Sequence, residues 1–152
     1  MKLLYVSRYY DEYLRQFYRA RRGCESLPYQ AQLETLCSDF FGWPAQLVRH
    51  MKIRAGIDAR IVICNAQSLQ RAWAREHSLT ISDSGWQEEI CLEQIRLFRP
   101  DVLWLDPPEL FGPFARTVRP LVGKIITWIG SPFSRDLDTS GISVLITENP
   151  RT

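Results

Sequence analysis

The chain has 152 residues, of which 45% are hydrophobic and 24% charged, values that exclude a disordered or fibrous protein. Nineteen basic residues against seventeen acidic ones leave a formal net charge of +2, too little for a broad nucleic-acid footprint. A single domain of this length buries a core without metals or disulfides.

Sixteen of the basic residues are Arg and three are Lys. That excess suits recognition of carboxylate or phosphate, and genome composition alone also produces it. Cys24, Cys37, Cys64 and Cys91 form no C-x-x-C pair, and no His lies at metal-ligand spacing from them. Three of them, Cys37, Cys64 and Cys91, sit in apolar periodic runs and read as small core residues, so no metal site is expected. Met1-Lys2 leads to only four apolar residues before Ser7-Arg8, unlike a signal peptide. No apolar run approaches the ~18 residues of a membrane span. The expectation is a cytoplasmic chain without a transmembrane segment.

In chain order, Lys2 to Val6 is a non-alternating β-rich run, as in a strand buried on both faces of a parallel sheet. Ser7 to Asp11 reads as a polar loop, with Asp11 capping a helix to about Tyr18. Arg19 to Pro28 reads as a loop. Leu33, Leu36, Cys37, Phe40 and Phe41 fit the i, i+3, i+4, i+7, i+8 template, predicting a helix from about Pro28 to Phe40. Gly42-Trp43-Pro44 breaks it. Pro44 suits the first turn of the next helix, whose stripe is Leu47, Val48, Met51 and Ala55, and Gly56 suits its end.

Ala59 to Cys64 is the second strand, and Asn65 to Ser68 the turn after it. Leu69 to His77 is a short helix, and Thr80 to Ser82 can form a small extra strand. Ser84 and Gln87 form a capping box for a helix that runs to Phe98 and stops at Arg99-Pro100. Asp101 to Leu105 is the third strand, a helix runs from about Pro108 to Pro120, and Lys124 to Ile129 is the fourth strand. Ile142 to Thr147 is the last. Alternating strands and helices with long connections predict an α/β class, a Rossmann-like doubly wound domain. Its sheet is mainly parallel, with the first strand central, order 3-2-1-4-5 or an extension of it, and helices on both faces. Asn149-Pro150 has the form of an N-cap and first helical residue with little chain after it. From this, residues 1–152 are expected to be one domain, the N-terminal half of a longer two-domain protein.

In open α/β sheets ligands bind beyond the carboxyl ends of the strands. That rule selects Ser7, Arg8, Tyr9 and Asp11 after the first strand, Asn65 after the second, and Asp106 and Glu109 after the third. Gly130 and Ser131 follow the fourth strand and Glu148 the last. As a group they suit a polar or polyhydroxyl ligand. Asp11 and Asp106 are the catalytic candidates, because a carboxylate holds sugar hydroxyls or accepts a proton. No G-x-G-x-x-G follows the first strand and no G-x-x-x-x-G-K-[ST] occurs, which argues against a nucleotide-binding enzyme. The Asp101 to Asp106 run resembles the third strand of a response-regulator receiver, but Ser7-Arg8 stands where a receiver needs an acidic pair. Arg15, Arg19, Arg21 and Arg22 make one short basic patch, insufficient for nucleic acid. Trp104 and Trp128 read as core, and Trp43 as a packed turn anchor that can also stack on a sugar.

Four stretches carry a family resemblance. They are Lys2 to Val6; Tyr29 to Leu36 with Phe41-Gly42-Trp43 and Gly56-Ile57-Asp58-Ala59; Asn65 to Ala74 with Glu76-His77; and Phe98 to Leu103 with Thr147-Glu148-Asn149-Pro150. With these the chain resembles the N-terminal half of a GT-B glycosyltransferase of the family-4 type. The resemblance implies an acceptor-side domain that is inactive alone. It also implies that no cofactor binds this chain, and that a nucleotide-sugar donor binds a separate C-terminal domain. The expected partners are that domain and a sugar-containing or polar acceptor. The alternative is a stand-alone Rossmann-like binding or protein-interaction module without catalysis.

Overall fold

The computed structural model describes residues 1–130 and 136–148. Five strands form one sheet: β1 (Lys2–Ser7), β2 (Asp58–Ile63), β3 (Val102–Leu105), β4 (Lys124–Ile129) and β5 (Val144–Thr147). All four pairings are parallel, in the order β2-β1-β3-β4-β5. The α/β, doubly wound class is as expected, with helices on both faces. The strand order is not. The third strand pairs with β1, Leu3 opposite Val102 and Val6 opposite Leu105, and β2 is left at an edge. β1 is interior, but β3 occupies the middle of the sheet.

The helices explain the order. α1 (Asp11–Ala20), α2 (Tyr29–Ser38) and α3 (Pro44–Ala55) connect β1 to β2 over one face. There Leu14, Phe17, Leu36 and Val48 pack on Leu3, Tyr5, Ala59, Ile61 and Ile63. α4 (Gln67–Glu76) and α5 (Trp86–Phe98) then carry the chain back past β1. The stripe Cys91, Ile95 and Phe98 on α5 packs on Leu4, Val6 and Leu103 of the opposite face, which delivers β3 to the free side of β1. α6 (Pro113–Val118) covers the same face through Phe114, Ala115 and Val118, beside Leu105, Ile125 and Ile129. The edge position of β2 fits its pattern: Asp58 and Arg60 are exposed and alternate with buried Ala59 and Ile61. Charges on an outer strand also block pairing with another sheet.

Several local expectations are corrected. Ser7 is the last residue of β1 and buried, because its carbonyl accepts the Cys64 amide and continues the ladder. Tyr10 is the N-cap of α1, which puts Asp11 and Glu12 in the first turn, where carboxylates complement the helix dipole. Thr80 to Ser82 is not a strand. Ser82 instead belongs to the entry of α5, where its hydroxyl accepts from the Gly85 amide and Glu89 reaches back to its amide and hydroxyl. That reciprocal pair replaces the expected Ser84–Gln87 box, and Gln87 instead donates to the Cys64 sulfur at 3.4 Å. Pro108–Leu110 is a short 3-10 turn, so α6 begins only at Pro113. The expected helix opening at Asn149-Pro150 lies outside the described residues.

Candidate functional site

The chain leaves β1 toward β2 on one side and returns to β3 on the other, so the direction of winding reverses between β1 and β3. At such a switch point the loops beyond the two strand ends diverge and leave a crevice. Arg8 and Asp106 are the residues that follow these strands.

Arg8 is a tie between loops. Its guanidinium donates to Glu109, in the turn after β3, at 2.5 Å, and to Asp11, in the first turn of α1, at 2.9 Å. The other Asp11 oxygen accepts from the Asn65 side-chain amide at 2.7 Å. Asn65, just after β2, also accepts from the Tyr9 amide and donates to the Tyr9 carbonyl. One polar chain thus joins the loops after β2, β1 and β3. Asn65, and after it Arg8, holds the Asp11 carboxyl below the usual range, and the Glu109 bond raises the Arg8 value.

Asp106 has a different environment. Its amide donates to the Val6 carbonyl, extending the β1–β3 ladder by one residue. Its carboxylate accepts from the Tyr5 hydroxyl at 2.5 Å and from the Trp104 indole N–H at 3.0 Å. Tyr5 lies in β1 directly opposite Trp104 in β3, and their rings stack with centroids 5.1 Å apart. Burial pushes the Asp106 carboxyl up, against the opposing effect of the two hydrogen bonds. Burial and the neighbouring Asp106 raise the Tyr5 phenol far above its ordinary value, so it remains a donor.

Arg8, Asp106, Pro107, Pro108, Trp128 and Gly130 line a crevice of about 440 Å³. That is within the usual ~300–1,000 Å³ of small-molecule sites. Trp128 is half-buried rather than core, because its side of β4 lies beyond the layer formed by α1 to α3. Its indole packs edge-on against Trp43, which itself meets Tyr5 and Trp104. A methyl group on Gly130 would stand 2.5 Å from the Trp128 ring, so glycine is what lets the indole lie against the backbone there. A second hollow of about 320 Å³ is bordered by Asp11, Arg15, Tyr18 and Asn65.

The structure therefore brings Arg8, Asp11, Asn65 and Glu109 into one network and places Asp106 and Gly130 on the crevice wall. Tyr9 does not join as a ligand group: its ring is buried against Tyr13 and Phe41, and only its backbone meets Asn65. Buried Ser7 is likewise structural in position. Glu148 is exposed beyond β5, with β3 and β4 between that strand and β1. Ser131 lies outside the described residues. Tyr5, Trp104 and Trp128 were not among the expected site residues. Trp104 shares a sheet face with Asp106 by its i, i+2 spacing, and Tyr5 joins them only once the register is known. Among the described residues there is no group of three or more metal-ligating side chains.

Fold and geometry together define a doubly wound α/β domain with a strand-end crevice at its switch point. No protein-family model, curated protein or solved structure matches the chain. Among the described residues no helix is long and apolar enough to cross a membrane.

Proposed function

We propose that this chain is the acceptor-binding domain of a glycosyltransferase, with Asp106 as the group that takes the proton from the attacking acceptor hydroxyl. The observation that carries this reading is the setting of Asp106. It is a half-buried carboxylate at the β1–β3 switch point, fixed by two donors from neighbouring strands, on the wall of an open crevice. Burial raises its proton affinity, which moves a carboxylate toward the range useful for general-base work.

The surroundings favour an acceptor over a nucleotide at this site. Asp11 and Glu12 occupy the first turn of α1, where a phosphate would otherwise find the helix N-terminus. The Arg8 guanidinium is already engaged by Asp11 and Glu109. In this reading the nucleotide-sugar donor binds a second domain, and this chain alone binds acceptor without turnover. The reading includes a reducing, cytoplasmic setting, in keeping with four unpaired cysteines.

The test is transfer from a panel of nucleotide sugars to glycoside acceptors, measured for this chain joined to its donor-binding domain and for this chain alone. Asp106→Asn in the joined protein is expected to lower kcat by about 10²-fold or more, with acceptor binding retained. Unchanged kcat in that variant, or turnover by the isolated chain, overturns the assignment. Acceptor binding with no transfer in any combination favours a non-catalytic binding module.

A further inference from the structure

We propose that the crevice selects an uncharged sugar ring, seated with its apolar face on Trp128 and a hydroxyl on Asp106, and that it rejects sugars bearing a carboxylate or phosphate. This rests on the acceptor-binding reading and deepens it.

Two observations carry the proposal. The first is the pairing of an aromatic wall with a fixed acceptor. Trp128 and Asp106 line the same crevice from adjacent strand ends, β4 and β3. Both Asp106 oxygens are held in place by Tyr5 and Trp104, yet each retains a lone pair for a ligand hydroxyl. A pyranose has both complementary features, an apolar patch of C–H groups and equatorial hydroxyls around it. An indole supplies a large rigid contact at little entropic cost. Gly130 is part of the device, because any side chain there would displace the indole that it adjoins.

The second observation is charge. One guanidinium, Arg8, is shared between two carboxylates, Asp11 and Glu109. Asp106 adds a third carboxylate, held by two uncharged donors. The rim therefore carries a net negative charge, and an anionic ligand meets repulsion that a neutral one does not. To recruit Arg8, a phosphate would have to displace Glu109 or Asp11 from it.

The experiment is a nuclear magnetic resonance titration of this chain with methyl β-glucopyranoside, methyl β-glucuronide and glucose 6-phosphate. The neutral glycoside is expected to shift the Trp128 indole N–H and the Gly130 amide, and the two anionic sugars to leave them in place. Trp128→Leu is expected to weaken glycoside binding roughly tenfold, as loss of a stacked aromatic does. Trp128→Phe, which keeps an aromatic face, retains most of the affinity and controls for folding. Three results overturn the proposal: anionic sugars binding as tightly as the glycoside, shifts that map away from Trp128, or unchanged affinity in Trp128→Leu. The readout needs no donor or catalysis, so it fails independently of the transfer assay. Shifts that map elsewhere would relocate the sugar and leave Asp106 to be judged by kcat.

Discussion

The Tyr5 hydroxyl, on β1, donates to the Asp106 carboxylate one residue beyond the end of β3, at 2.5 Å. The bond spans the switch point and ties an otherwise fully buried ring to the crevice wall. Tyr5→Phe removes the donor and little else. Its expected cost is about 1–3 kcal/mol, the range for a buried polar group that loses its partner. The Asp106 carboxyl should also titrate at higher pH, since a bond that favours its charged form is gone. Urea unfolding gives the first quantity, and carbon-13 titration of the carboxyl gives the second.

The raised Asp106 value has a definite sign in stability. The folded state holds this proton more tightly than the unfolded state, so stability contributed at this site falls as pH rises from the unfolded value near 3.8 through the folded value. Asp106→Asn removes that decline. Asn keeps an oxygen that accepts from Trp104 and an amide that donates to the Tyr5 oxygen, and it loses the acceptor of the Tyr5 hydroxyl proton, a cost that does not vary with pH. The variant is expected to remain folded and to gain stability relative to the parent as pH rises above about 4. Parallel unfolding curves at pH 4 and pH 7 check it, and an equal difference at both would refute it.

Asn65 holds three partners in one other segment, the Tyr9 amide, the Tyr9 carbonyl and Asp11. Asn65→Ala leaves the Tyr9 backbone without them and frees Asp11 to titrate higher. A destabilisation of about 1–3 kcal/mol is expected, with amide exchange accelerating at residues 8–11 before it does in β1. Exchange that stays slow in that loop would show that Arg8 and Glu109 suffice to hold it.

Gly123 precedes β4, and a methyl group there would stand 2.4 Å from the Asp101 carbonyl oxygen. Because that oxygen belongs to the backbone and also accepts from the Lys124 amide, it has little freedom to move. Gly123→Ala is expected to cost about 1–3 kcal/mol, as overpacking does. Gly56→Ala serves as comparison. It has open space around it but a φ of +59°, so its smaller expected penalty is conformational only. Thermal unfolding of the two variants orders them.

Much of this architecture was legible from residue pattern. The unalternating Leu3 to Val6 run marked an interior parallel strand, and Pro44 and Gly56 bounded α3 where the structure has it. The strand order was less accessible, because it depends on which face α5 chooses, and its stripe of Cys91, Ile95 and Phe98 fits either. The alternation of Asp58 and Arg60 in β2 was the available hint that this strand is an edge. The rule of strand ends selected Arg8, Asp11, Asn65, Asp106 and Glu109, which the structure brings near one another. It could not separate them into a loop-tying network and a crevice wall, since that division is made by side-chain direction. Trp128 was read as core for a related reason: an indole in a strand fits a core unless one knows that the hydrophobic cluster on its face does not include it.

Among the described residues every strand pairing is parallel, and this shapes how the molecule is made. β1 precedes the other four strands of this sheet in the chain and, being interior, needs a partner on each side. Its nearest partner residue to Lys2 is Asp58, and Leu3 must wait for Val102, about a hundred residues later. At ~5–20 residues per second that is a delay of roughly 5–20 s, during which Leu3 to Val6 is an apolar segment with both edges unpaired until β2 is made and one edge unpaired until β3 is. Loop-closure entropy must be met before any of these pairings stabilises the chain, so refolding from denaturant should also be slow for the size of the domain. The arrangement that builds the crevice thus leaves β1 with an unpaired edge until β3 has been made.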